Sequence, residues 1–262
     1  MSLSIAGLTC GYGDQSIVEN ISLQADLGEI LCVLGPNGVG KTTFFKTLLG
    51  FIKAKSGEIR IGNRAIQSLS NRELAKWIAY VPQAHAAPFP YLVREVIVMG
   101  RTAHLNMFAL PTKADYELVE QVMQQLDIAH LADKNYTEIS GGERQLVLIA
   151  RALVQQTKIL VMDEPTSNLD FGNQVRVLRQ INAIARTGIL VLMTSHVPDH
   201  AFLCSARIVL FMKGGDKRFI IGDADEVMTS ENLRKAYGVD VIVSDISGHR
   251  KEVIKVCVPV MN

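Results

Sequence analysis

Residues Gly35-Pro36-Asn37-Gly38-Val39-Gly40-Lys41-Thr42-Thr43 match G-x-x-x-x-G-K-[ST] and constrain the chain more than any other stretch. An apolar run, 30–34, precedes them and reads as a buried strand. Residues 44–49 read as the start of a helix that stops at Gly50. Strand, glycine turn and helix is the context this pattern needs. Glycines let the backbone fold tightly and turn its N–H groups inward, which makes an anion nest. The helix start adds the positive end of its dipole. Lys41 would then meet the β- and γ-phosphates of a nucleotide, and the Thr42 hydroxyl would meet Mg²⁺.

The chain has 262 residues, 48% of them hydrophobic, enough for one large α/β unit or two joined lobes. A net charge of +1 advertises neither nucleic acid nor an acidic partner. Apolar runs such as 189–193 and 208–212 are too short to cross a bilayer, and no signal peptide is evident. The expectation is a soluble, cytoplasmic chain. Cys10, Cys32, Cys204 and Cys257 form no C-x-x-C pair and read as small buried hydrophobes. His196 and His200 are four apart, but Pro198 lies between them and no third ligand is obvious, so a metal site there is set aside.

In order, residues 3–34 read as an antiparallel β region with strands at 3–8, 21–25 and 30–34 and turns at 11–13 and 27–29. Tyr12, between two glycines, is either a stacking platform for a purine or an ordinary turn aromatic. Strands are expected at 57–61 and 77–81, with a Ser70/Glu73 capping box between them. Gln83 lies just past the second of these strands, where its amide could reach a metal or a water. Residues 85–155 are helical in pattern, with an amphipathic helix at 112–126 capped by Thr112 and Asp115. Within them Ser140-Gly141-Gly142 opens an apolar helix, a second anion-binding device or simply a capped helix start.

Residues 158–164 read as a buried strand ending in Asp163 and Glu164. Adjacent strand residues point opposite ways, so Asp163 is expected to face Mg²⁺ and Glu164 to poise a water. A helix at 172–185 and a strand at 188–194 follow. His196, at that strand's end, could donate to a γ-phosphate oxygen. A strand pair at 206–222 and a tail with a helix at 230–237 and a hairpin from 239–243 and 253–258 complete the chain.

Together these residues resemble the nucleotide-binding subunit of an ABC transporter over essentially the whole chain. Ser140-Gly141-Gly142, followed by Glu143 where the commonest pattern has Gln, resembles the ABC signature. Ser167-Asn-Leu-Asp170 resembles the loop that couples two sites, Gln83 the Q-loop, His196 the switch histidine and Tyr12 the adenine-stacking aromatic. The resemblance implies an α/β P-loop NTPase core with an antiparallel β subdomain and an inserted helical subdomain. The expected division is 1–84 and 156–222 for the core, 85–155 for the helical part and 223–262 for the tail.

It further implies ATP and Mg²⁺ as ligands. Tyr12, residues 35–43 and Gln83 would hold nucleotide, with Ser140, Gly141, Gly142, Glu143 and Asp170 closing over it from a second copy in a head-to-tail homodimer. Thr42, Gln83 and Asp163 would hold the metal, while Glu164 and His196 carry hydrolysis. An integral membrane permease dimer, an indirectly engaged substrate-binding protein and a place at the cytoplasmic face of the membrane follow from the same resemblance, with no nucleic acid partner. The loop 84–91 and the helix after it are the expected permease contact. Residues 98–104 and 230–239 resemble importers of metal chelates (siderophores, haem, cobalamin) or of molybdate-type oxyanions. The alternatives are a soluble ABC-type assembly or scaffold factor, and an exporter half lacking its fused membrane domain.

Overall fold

The computed structural model describes residues 2–83, 89–106, 108–213, 219–247 and 253–261. β1 (Ser2–Tyr12) and β2 (Gln15–Asp26) form a long antiparallel pair. Their turn sits beyond the expected 11–13, because Tyr12 still pairs with Gln15. β3 (Ile30–Leu34) leads into the phosphate loop and α1 (Lys41–Leu48). β4 (Ser56–Ile61) and β5 (Arg64–Ala65) return to the first sheet, whose order is β2-β1-β4-β5. α2 (Asn71–Leu74) starts on the expected capping box, Ser70 N–H donating to Glu73 Oε2 at 2.9 Å.

β6 (Ile78–Val81) precedes the helical stretch of α3 (Val93–Val98), a 3-10 turn at Met99–Ala103, α4 (Lys113–Gln125) and α5 (Gly141–Leu153). β7 (Ile159–Met162), α6 (Phe171–Arg186), β8 (Leu190–Ser195), α7 (Asp199–Leu203), β9 (Arg207–Phe211) and β10 (Phe219–Asp223) then alternate. The tail is α8 (Ala224–Val227), α9 (Ser230–Tyr237) and a hairpin of β11 (Val241–Ser247) and β12 (Val253–Pro259). The expected turns around 214–216 and at Gly248 lie outside the described residues, as does most of the loop 84–91.

One expectation fails. Residues 30–34 do not extend the antiparallel region. β3 runs parallel between β8 and β9 in a six-stranded sheet of order β10-β9-β3-β8-β7-β6. The physical reason is burial on both faces. Leu31 and Val33 pack with Phe44 and Phe45 under the antiparallel sheet. Cys32 and Leu34 pack on the opposite side with Leu146, Ile149 and Ile181 of the helices. β7 and β8 divide in the same way, so their sequences are continuously apolar, as strands covered on both faces are. Each fully buried aromatic or aliphatic side chain in these two cores contributes about 1.5–3 kcal/mol.

The arrangement places the site. β9, β3, β8, β7 and β6 are parallel neighbours, so their carboxyl ends share one edge. In open α/β sheets ligands sit outside that edge. The phosphate loop, His196, the Asp163-Glu164 pair and Gln83 therefore come out side by side, one strand spacing of about 4.8 Å apart.

Candidate nucleotide site

The phosphate loop depends on glycine at two points. Gly35 has φ +141°, and a Cβ there would stand 2.7 Å from the Phe211 carbonyl oxygen. Gly40 has φ +109° at the cap of α1, with Ile17 and Val18 methyls 2.8 Å from where a Cβ would lie. Side chains are excluded both by conformation and by space. Lys41 is buried, and its ammonium donates to the carbonyls of Gly35 at 2.6 Å and Pro36 at 3.0 Å. Burial pushes the Lys41 amine below its usual range, while Glu164 and Asp163 pull it back up. The Gly35 N–H donates to Tyr237 Oη at 3.1 Å.

The carboxylates are not placed by strand alternation, as the sequence suggested. β7 ends at Met162, and Glu164 takes a left-handed conformation at φ 47°. Such a conformation is uncommon for a non-glycine residue. It is held here by Thr194 of β8. The Glu164 N–H donates to Thr194 Oγ1 at 2.8 Å, and that hydroxyl donates to Asp163 Oδ1 at 2.7 Å. One threonine therefore orients both acidic residues. Glu164 Oε2 lies 3.5 Å from His196 Nδ1 and 3.5 Å from Gln83 Nε2, and Gln83 Nε2 also donates to Ser167 Oγ at 3.1 Å. The ends of β6 and β8 thus converge on the carboxylate that follows β7.

Several expected residues play local roles. Ser140 caps α5, its Oγ accepting from the Glu143 N–H while Glu143 Oε2 accepts from the Ser140 N–H at 2.8 Å. The Glu143 carboxylate is thus committed to its own helix cap, which also holds it below the usual carboxylate range. Asp170 caps α6 through the Asn173 N–H at 2.9 Å and takes a second bond from Asn173 Nδ2 at 2.6 Å. Gly142 packs on that Asn173 amide. The Ser140–Gly142 device therefore sits on the head of α6. Tyr12 stands 49% exposed at the tip of β1, and Thr42 is exposed on the first turn of α1. Buried His200 bonds Ser195 Oγ at 3.0 Å through Nδ1.

Sequence reasoning missed Thr194 and Asn173, and it placed Ser167 in the coupling loop without giving it a role. Thr194 carried a signal, a polar residue near the end of a largely apolar strand. Asn173 is an ordinary helix-start residue until the fold sets Gly142 against it.

The ABC transporter family profile matches residues 18–167. The chain belongs to the ABC transporter family. As an ABC ATPase it binds and hydrolyses ATP. It is 44% identical to an uncharacterised ABC transporter ATP-binding protein of Haemophilus influenzae, over 90% of this chain and 89% of that one. It is 35% identical to the molybdate import ATP-binding protein MolC of the same organism, over 88% and 86% of the two chains. Among solved structures, an inward-facing putative metal-chelate type ABC transporter superposes with a TM-score of 0.88 at 32% identity, covering 99% of this chain and 98% of that one. Among the described residues, no helix of this ABC ATPase is long and apolar enough to cross a membrane.

Proposed function

We propose that this ABC ATPase powers import of a metal chelate (siderophore, haem or cobalamin type) or a molybdate-type oxyanion through a separate membrane permease. The observation that carries the catalytic half is the convergence of His196 and Gln83 on Glu164 opposite Lys41. Glu164 takes the proton of the attacking water or orients it, and His196 reads the γ-phosphate. The proposed metal ligands suit Mg²⁺, which takes hard oxygen donors from one or two carboxylates plus substrate phosphates. The donor set here is all oxygen: the Thr42 hydroxyl, the Asp163 oxygen not used by Thr194, and the Gln83 carbonyl, whose amide N–H groups face Glu164 and Ser167. Bound Mg²⁺ would offset charge on the phosphates, and Asp163 and Thr42 would hold it there.

The carriage half rests on the match to the metal-chelate type transporter, which extends through the tail. A groove of about 690 Å³ also supports a permease contact. It lies between the sheet edge and the helical stretch, lined by Phe51, Tyr80, Met99, Ala103 and Leu105. Phe51 is 68% exposed and Met99 45%. In the working unit, two copies stand head to tail and each Ser140–Gly142 closes over the other's nucleotide. The division into core, helical part and tail follows the boundaries 84/85, 155/156 and 222/223.

The test is ATP-driven uptake in proteoliposomes holding this chain and the polytopic membrane protein that co-purifies with it. Ferric siderophore, haem, cobalamin and molybdate are offered in turn. Uptake of one class, abolished by Lys41→Ala, is expected. ATP hydrolysis with no membrane partner and no uptake would place the chain among soluble ABC factors instead.

A further inference from the structure

The tail touches the nucleotide site at two separated points. At one, Tyr237, the last residue of α9, accepts the Gly35 N–H through its hydroxyl at 3.1 Å. At the other, the Cys257 N–H in β12 donates to Asp199 Oδ1 at 2.7 Å. Asp199 lies three residues after His196, at the start of α7. Between these points the tail is anchored to the body. Leu233 and Ala236 are buried in the helical core, and Val241, Val243 and Cys257 pack on the same core, while Lys255 Nζ ties the hairpin to α8 of the tail itself through Asp225 at 2.6 Å. α9 ends on Gly238, left-handed at φ 74°, which fixes where Tyr237 stops.

One contact meets the backbone of the phosphate loop, and the other meets the Asp199 side chain just past His196. Gly35 is bonded through both of its backbone groups, its N–H to Tyr237 and its carbonyl to Lys41 Nζ at 2.6 Å. These groups lie in adjacent peptide planes that meet at the Gly35 Cα, so Tyr237 pins one side of that joint and Lys41 the other. At φ +141° a glycine has wide freedom and no side chain to restrict it. Within the segment 195–199 the bonds are short-range, Val197 N–H to Ser195 Oγ at 3.0 Å and Ser195 Oγ to His200, and outside it Ser195 pairs with β3 and His196 meets Glu164.

We infer that the C-terminal tail is a positioning element of the ATP site, with Tyr237 fixing the start of the phosphate loop and the Asp199–Cys257 bond fixing the segment that carries His196. The tail thereby holds two neighbouring strand ends, those of β3 and β8, at one mutual setting. A pre-set loop need not be ordered when nucleotide arrives, so the gain appears as ATP affinity. This inference rests on the reading of 35–43 as the phosphate loop, which Lys41→Ala checks separately by loss of ATP binding.

Tyr237→Phe keeps the ring and removes only the hydroxyl. In the full chain it should raise the Kd and KM for ATP by roughly five- to tenfold, the worth of one partly buried hydrogen bond. The kcat should stay within about twofold, since the reacting groups are untouched. A merely structural role would lower the melting temperature and the active fraction and leave the KM unchanged, and that outcome overturns the inference. Asp199→Ala should lower kcat by roughly tenfold through misplacement of the 195–199 segment. Asp199→Asn, which keeps the accepting oxygen, should restore it. Equal rates for the two Asp199 variants would overturn the second contact independently.

Discussion

Gly142→Ala probes the link between the Ser140–Gly142 device and the Asp170 loop. A methyl at Gly142 would lie well inside contact distance of the Asn173 carboxamide, so that amide must swing away. The swing breaks the 2.6 Å bond from Asn173 Nδ2 to Asp170 Oδ2. That cap is exposed, so the lost bond itself weighs little in stability. The crowding costs about 2 kcal/mol, within the range for overpacking. Total destabilisation is then about 2 kcal/mol, a fall of about 4 °C in melting temperature for a chain of this size. ATP hydrolysis should drop about tenfold or more as Asp170 loses its setting. Thermal melts and steady-state ATPase rates are measured for Gly142→Ala, Asn173→Ala and the double variant. Asn173→Ala removes the three atoms nearest the new methyl, so on that background Gly142→Ala should cost little more. Additive effects in the double variant would refute the reasoning.

Other outcomes follow from the same coordinates. Asp115 is buried, accepts from Arg101 Nε at 2.7 Å and from the Thr112 N–H at 2.9 Å, and these bonds lower its carboxyl from 3.8 to about 2, the Thr112 N–H contributing most. Its folded value is depressed, so its stabilisation is fully present above pH 3.8 and is lost as pH falls towards 2. Asp115→Asn should remove on the order of 1–2 kcal/mol at neutral pH and flatten the acid limb of a stability curve over that window. At Gly100 an added Cβ would collide with the Arg151 backbone carbonyl, which cannot step aside. Gly100→Ala should destabilise by about 1–3 kcal/mol in chemical denaturation, against under 0.5 kcal/mol for an ordinary surface change. Thr194→Val should cut kcat by about a hundredfold while sparing ATP affinity in equilibrium titration, because it frees the Asp163–Glu164 turn without touching the phosphate loop.

Local features were legible wherever local chemistry decides them. The helix at 230–237 was read with the bounds the structure shows, because Thr229 caps it and Gly238 ends it. The Ser70 and Ser140 caps were likewise visible as serine followed three residues on by glutamate. The placement of 30–34 was not read correctly. A turn signal at 27–29 suggested a third antiparallel strand, although five consecutive apolar residues already pointed to a strand covered on both faces. The acidic pair is legible at the end of an apolar run, but alternation does not set the different roles of its two members, which the structure assigns to a threonine clamp and a left-handed Glu164. No periodicity carries that information, since it depends on a neighbouring strand 30 residues away. The bond of Tyr237 to Gly35 and the packing of Gly142 on Asn173 are of the same kind, since neither partner is near in the sequence.

The central claim is that Glu164 drives hydrolysis at a nucleotide site completed by a second copy of the chain. The direct measurement is the molar mass of Glu164→Gln by light scattering with ATP and Mg²⁺, alongside its turnover. A shared site predicts a stable species of twice the 28.8 kDa chain, with hydrolysis reduced by about 10²–10⁴-fold. A single-chain species that holds ATP, or a variant that turns over near the normal rate, would contradict it.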